Sequence, residues 1–273
     1  MKNLLFFLDT KNINSARILS YILLKKESTG SFRKNELMFF FKSQGIDTHS
    51  HNMKENFDRN IKRLQCQRVF SIEENKYIKL FHFIEYKDGL FSYNINEGVP
   101  IKSINESNIL DVLKLNSIFS IRLYEYLMFA YAQTDAIVYT ANHEKAVEMS
   151  MKQFRFFTGL DIYLEDNAGR ITLEDKYLRK QKYTELTNLK PKILKPVLED
   201  IKTKTRYYIE FYNKTSEFYK ITGFIFYIKE YEERKQIYLE LDEFFELYDK
   251  IISEEKRHLN SKELKQKMIL ALR

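Results

Sequence analysis

The sequence predicts an α+β fold: two consecutive units built on one plan, helix, helix, helix, hairpin, followed by C-terminal helices. Three stretches carry this expectation. From Leu189 to Lys229 an amphipathic, lysine-bearing run leads straight into two apolar strands joined by a polar tip. From Ile13 to Asn96 three shorter amphipathic runs precede a second hairpin, with Lys87-Asp88-Gly89 at its turn. Beyond Lys229 the chain is strongly charged, with apolar residues at helical spacing.

In the first unit, Ile13, Ala16, Ile18, Leu19, Ile22 and Leu23 suit a helix over 13–24. Lys25 to Ser31, containing Gly30, reads as a loop. Asn35 to Lys42 suits a second helix with Gly45 as its stop. Asn52 and Glu55 form a capping-box pair for a third helix, whose buried seam is Met53, Phe57, Ile61 and Leu64. Tyr77 to Tyr86 and Leu90 to Asn96 then flank Asp88-Gly89, a pair that accepts the positive φ of a tight hairpin turn. Gly98, Pro100 and the polar run Lys102 to Asn108 end this unit, and Ile109 to Leu115 reads as a connecting element.

In the second unit, Ser150 is placed to cap a helix from Met151 to Phe157, stopped by Gly159. Asp161 to Gln181 looks like a polar insertion with a turn at Asn167 to Gly169. Ile193, Leu194, Val197, Leu198 and Ile201 make the apolar face of the next helix, leaving Lys190, Lys192, Lys195 and Lys202 for its other faces. Pro191 falls in what reads as the first turn, where no helical hydrogen bond is lost. Pro196 lies deeper and predicts a kink or a tight start. Tyr207 to Tyr212 and Phe218 to Ile228 read as strands, with Asn213 to Glu217 at the tip. The domains expected are 1–114, 115–235 and a helical extension, 236–273, whose amphipathic runs centre on Leu239 to Ile252 and Ser261 to Leu272. Helix, helix, helix, hairpin is the order of a winged helix, a fold that lays one helix in the DNA major groove and its hairpin tip on the backbone.

Composition agrees with that class. The chain has 273 residues, 44% hydrophobic, enough for one large or two ordinary cores. Charged residues are 30%, with only 7 Gly and 3 Pro, which fits an ordered, helix-rich protein. Net charge is +7, in the direction expected of a nucleic-acid binder, although a lysine-biased genome gives the same sign. Cys66 is the single cysteine, so neither an intramolecular disulfide nor a zinc site on paired cysteines is open to the chain, and a reducing cytoplasm suits it. Leu4 to Leu8 is too short for a signal peptide or a membrane span and reads as a strand or staple; no membrane partner is expected.

The run Leu189, Lys190, Lys192, Ile193, Leu194, Lys195, Pro196, Val197, Leu198, Glu199, Asp200, Ile201 resembles the recognition stretch of the iteron-type plasmid replication initiators, the Rep_3 superfamily. Ser120, Ile121, Arg122, Leu123, Tyr124, Glu125 is similar to the run opening the first helix of the same domain in that family. The resemblance is strong from about Ser117 to Lys229 and loose before that. It implies two winged helices in tandem, binding to repeated origin sites in double-stranded DNA, monomers that initiate and dimers that repress the protein's own gene. It also implies recruitment of the host replication initiator and the replicative helicase. The long segment between Tyr131 and Leu189 departs from the family pattern.

Candidate DNA contacts follow. Asn188, Lys190 and Lys192 stand at the helix end where base edges are read, extended by Lys195, Lys202, Lys204 and Arg206. Lys214, Thr215, Ser216 and Lys220 suit backbone contact by the wing. Lys54, Lys62, Arg63 and Arg68 are the first unit's candidates. A tandem winged-helix repressor without a replication role fits the same residues. A rolling-circle nuclease fits poorly, because His49-Ser50-His51 precedes a helix cap instead of lying in a strand, and nucleotide hydrolysis is not expected, because no phosphate-cradling glycine loop is present. The expectation is a DNA-binding protein that is not an enzyme and holds no cofactor or metal.

Overall fold

A computed structural model of the chain describes residues 4–5, 11–46, 57–99, 101, 105–133, 137–139, 145–216 and 220–231. The Asn52–Glu55 capping box, Met53, Lys54, the His49/His51 pair, Phe218 and both C-terminal helices lie outside the described residues.

The first half runs α1 (Ile13–Leu24), β2 (Thr29–Arg33), α2 (Lys34–Ser43), α3 (Phe57–Gln65), β3 (Arg68–Ser71), β4 (Lys76–Lys79), β5 (Phe81–Lys87) and β6 (Leu90–Ile95), preceded by a short β1 (Leu4–Leu5). Asn12 caps α1 by accepting a hydrogen bond from the Ser15 N–H at 3.1 Å. α1 is buried along most of its length, with Ile18, Leu19, Ile22 and Leu23 in the core. α3 buries Phe57, Ile61 and Leu64, the expected seam, and adds Asn60 to it. Asp88 (φ 51) and Gly89 (φ 81) take the turn between β5 and β6 as their sequence requires.

Two expectations for this half are corrected. The loop expected at Lys25 to Ser31 ends instead in the start of β2, which pairs antiparallel with β6. Its sequence, TGSFR, buries only Phe32, so the strand exists through its partner and not through its own pattern. The hairpin arm expected from Tyr77 to Tyr86 is two strands broken at Leu80. β4 pairs with β3 in one sheet (β1-β3-β4), and β5 pairs with β6 in another (β2-β6-β5). β3 itself carried no recognised strand signal.

A connecting helix, α4 (Glu106–Lys114), occupies the segment expected to link the halves. Arg17 of α1 donates to the Leu113 and Leu115 carbonyls at 3.1 and 3.3 Å, tying the first half to its end.

The second half runs α5 (Ile118–Ala132), β7 (Ile137–Tyr139), β8 (Lys145–Ser150), α6 (Met151–Phe157), β9 (Asp161–Tyr163), a 3-10 turn (Asp175–Tyr177), β10 (Leu178–Gln181), a long helical rod, β11 (Tyr207–Thr215) and β12 (Ile221–Glu230). The rod, α7, has three stretches: α-helical Leu186–Leu189, π-helical Lys190–Leu194 and α-helical Lys195–Lys204. Ser117 caps α5, so the Ser120 of the family-like run lies inside the helix and is buried. Ser150 caps α6 in a complete capping box with Gln153, and Gly159 follows as the stop. β8 was not expected: the charged and small residues of KAVEMS do not alternate cleanly. It pairs with β12, giving a sheet of order β11-β12-β8-β7.

The two halves share a connectivity. In each, a strand leading into the second helix pairs with the last strand of the closing hairpin: β2 with β6, and β8 with β12. The chain is thus an α+β protein of small antiparallel sheets and packed helices. Among the described residues, no helix is long and apolar enough to cross a membrane.

The insertion expected at Asp161 to Gln181 has a definite place. β9 and β10 pair with each other, and the turn at Gly169 (φ 74) reaches the first half. The Ile171 N–H donates to the Asn75 carbonyl at 2.7 Å and the Tyr77 N–H to the Gly169 carbonyl at 3.2 Å. Arg68 pairs with Glu165 at 2.7 Å. Phe70 packs edge-on against Phe156, with centroids 5.3 Å apart. The insertion fastens the β3–β4 hairpin to the second half, so the halves form one body and not beads on a string.

Candidate nucleic-acid interface

The rod α7 follows from its apolar residues. Leu189, Ile193, Leu194, Val197, Leu198 and Ile201 are all buried, against α5 and β11. Each such side chain contributes on the order of 1.5–3 kcal/mol when fully removed from water. The rod begins at Leu186, earlier than expected, so Pro191 and Pro196 both fall inside it. Neither donates a backbone hydrogen bond, and a proline ring crowds the carbonyl four residues back. The helix answers with a π turn: the Lys190 N–H still bonds the Leu186 carbonyl, but the Lys195 N–H reaches the Lys190 carbonyl, five residues back. The widened turn accommodates both prolines without ending the helix, so Pro196 lies within the rod and does not mark its start.

The opposite face carries the charge. Lys192, Lys195, Glu199, Thr203 and Lys204 are exposed, and Asn188, Lys190 and Lys202 are half-exposed. Asn188 Nδ2 donates to Glu185 Oε2 at 3.1 Å. Lys202 lies over the Tyr208 ring, 5.3 Å from its centroid. Thr203 Oγ1 donates back to the Glu199 carbonyl at 2.8 Å. Glu199 places one carboxylate within the lysine stripe, and a carboxylate suits a cytosine amino group where lysine suits guanine.

Arg206 does not join this face. Its side chain is 12% exposed and pairs with the fully buried Asp111 at 3.1 Å and with Glu230 at 3.6 Å. It also donates to Asn108 Oδ1 at 3.0 Å. Tyr124 donates to the same Asp111 at 2.6 Å, and its pKa is pushed well above the usual tyrosine value, first by burial and then by Asp111. Arg206 therefore closes a buried knot between α4, α5 and the β11–β12 hairpin. The reason is its neighbour: a buried carboxylate draws the nearest guanidinium inward.

The β11–β12 hairpin also differs from expectation. β11 runs through Thr215 and β12 begins at Ile221, so Asn213 to Thr215, expected at the tip, belong to the strand. The Ser216 N–H donates to the Lys220 carbonyl at 2.9 Å. Thr215 and Lys220 are exposed, whereas Lys214 lies in the strand and is paired with Glu148 of β8. In the first half, Lys62 and Arg63 are exposed on α3. Arg68 is on β3, not on a helix, stacked over Tyr77 at 4.3 Å and paired with Glu165, in the seam between the halves.

The structure brings further cations to the region. Arg179, Lys180 and Lys182, exposed on and after β10, lead directly into the rod. The run Arg179-Lys180-Gln181-Lys182 was a legible signal, overlooked because the insertion had no assigned place. Behind it, Arg155 forms a buried bidentate pair with Asp161 and donates to the Tyr183 carbonyl at 2.9 Å, fixing the loop from which α7 starts. Arg59, exposed on α3 beside Lys62 and Arg63, was also missed.

No family model matches the chain. No curated protein matches it either. Solved structures do. The crystal structure of the Pi initiator protein in complex with iteron DNA matches with a TM-score of 0.60 at 14% sequence identity, over 85% of this chain and 98% of that chain. At that identity the likeness is one of backbone architecture. It covers both halves, the loosely resembling first as well as the second, and gives this chain the fold of the Pi initiator.

Proposed function

We propose that this chain is a plasmid replication initiator that binds repeated origin sequences in double-stranded DNA through two winged-helix halves. The observation that carries the reading is the outward lysine face of α7, on a rod whose other face is fully buried, within a fold shared with an initiator crystallised on iteron DNA. α7 and α3 are the groove-entering helices, with Lys192, Lys195 and Asn188 nearest the bases. The tip around Ser216 and Lys220 rides on phosphates. No catalytic step is assigned to the chain, and its compartment is the cytoplasm. In keeping with the family it resembles, monomers initiate, dimers repress the gene, and the host initiator and replicative helicase are recruited.

Footprinting on DNA neighbouring the gene tests this. An initiator protects direct repeats; a plain repressor of the same architecture protects a single inverted repeat. A plasmid deprived of its initiator gene should replicate when this gene is supplied in trans. Protection of an inverted repeat alone, together with failure to support replication, assigns the repressor role instead.

A further inference from the structure

A basic recess lies between the halves, beside α7. It is an open cleft of about 700 Å³ lined by Lys11, Arg17, Arg59 and Arg63 together with polar groups of both halves. Two helices begin in it. Asn12, Ile13 and Asn14 are the start of α1, and Ser117, Ile118 and Phe119 are the start of α5. Each start carries a partial positive charge from its aligned peptide dipoles and orphan N–H groups, so the two ends reinforce each other. Asn60 also lines the cleft. It is 1% exposed, and its Nδ2 meets no acceptor among the described residues, although its Oδ1 accepts from Arg63 at 3.3 Å. A buried amide without an acceptor is costly, roughly 1–3 kcal/mol, which points to a group supplied from outside. No carboxylate is among the described residues lining the cleft. Asp200, close by on α7, accepts from the Asn116 N–H at 3.0 Å.

We infer that this cleft holds a backbone phosphate of the duplex where it passes from one half to the other. The inference rests on the proposed DNA binding and adds a contact to it. Arg59 and Arg63 stand on α3, while the Asn116 hydrogen bond to Asp200 places the cleft beside α7, so a strand gripped by both helices crosses this point. Arg17 is held in place by the Leu113 and Leu115 carbonyls, which presents its charge without freezing a flexible side chain on binding. A phosphate oxygen, directly or through one water, gives Asn60 its acceptor. The contact is blind to sequence; it sets the register of the two halves along the duplex and favours sites with one fixed spacing.

The test compares the wild type with Arg59→Ala/Arg63→Ala on the footprinted duplex and on an unrelated duplex of equal length, between about 50 and 200 mM salt. The expected result is an equal loss on both, on the order of tenfold, with the log-log salt slope reduced by about one to two. Arg59→Lys/Arg63→Lys should restore most of the binding, which excludes a folding defect as the cause. Replacing single phosphates by neutral methylphosphonates should reveal one position that weakens the wild type and leaves the alanine variant unchanged. Lys192→Ala/Lys195→Ala on the same duplexes reports on the rod separately. If that variant loses affinity while Arg59→Ala/Arg63→Ala keeps wild-type affinity and slope, the cleft assignment is overturned and the DNA-binding reading survives. If the wild type binds neither duplex, both fall. Stabilisation of the wild type by inorganic pyrophosphate, with DNA binding of the alanine variant unchanged, assigns the cleft to a small anion and overturns the duplex phosphate.

Discussion

Replacing Arg155 by methionine probes the anchor on which the start of α7 depends. Its guanidinium is 6% exposed and Asp161 is 3% exposed, with Nε and Nη2 both bonded to the carboxylate at 2.8–3.0 Å. The same group donates to the Lys182 carbonyl at 2.5 Å and to the Tyr183 carbonyl at 2.9 Å. Methionine fills much of the volume but leaves Asp161 charged and buried without a partner, and breaking such a pair removes about 3–5 kcal/mol. The two carbonyls lose their donor as well, yet they share one side chain with the ion pair, so these losses do not simply add. Against a stability of ~5–15 kcal/mol, the variant is folded but marginal. Urea unfolding followed by far-UV circular dichroism measures it. Arg155→Met with Asp161→Asn, which removes both charges, should recover ~1 kcal/mol or more relative to the single change. A single variant that loses less than ~1 kcal/mol, or a double variant whose loss equals the sum of the two singles, refutes a coupled buried pair.

Lys192→Ala should weaken binding to the cognate duplex by ~1–3 kcal/mol if the side chain reads a base, and equally on any duplex, with a slope change near ~0.9, if it neutralises a phosphate. A gel-shift series over salt distinguishes them. Gly223→Ala should disrupt the pairing of β12 with β8, because an added Cβ would lie 2.1 Å from the Met149 carbonyl oxygen of β8; a loss of ~1–3 kcal/mol in thermal unfolding is expected. Arg68→Ala removes a half-exposed ion pair and should change stability by only ~0–1 kcal/mol, despite bridging the two halves. Because Tyr124 is raised well above the ordinary tyrosine value of about 10, its contribution is constant below that pH. Above it the unfolded chain releases a proton that the folded chain keeps, so stability falls. Tyr124→Phe should therefore lose less stability than the wild type as the urea midpoint is followed from pH about 9 to 11.

The rod of the second half was legible because its apolar residues repeat at helical spacing over a long run, and Ser150 announced α6 by local capping chemistry, to which the structure adds Gln153. The Asp88-Gly89 turn was legible for the same kind of reason: it answers to its own backbone. What escaped was whatever needs a distant partner. β2 and β8 are short, polar and ambiguous alone, and become strands only against β6 and β12. The break at Leu80 sends β4 and β5 to different sheets, which no alternation within the segment encodes.

The candidate site divides along the same line. Sequence placed lysines opposite the apolar seam of α7, since a buried stripe at fixed angular spacing dictates what remains outside. It did not foresee that Arg206 would turn toward Asp111, a residue far away in the chain, or that Lys214 would meet Glu148. Nor did it foresee the joining of the halves through the insertion, or the meeting of two helix starts at one basic cleft. Helical periodicity and capping are decided within a few residues, by the backbone's own geometry. The direction of a charged side chain is decided by which opposite charge the folded chain brings within reach, and that is known only when distant segments have met.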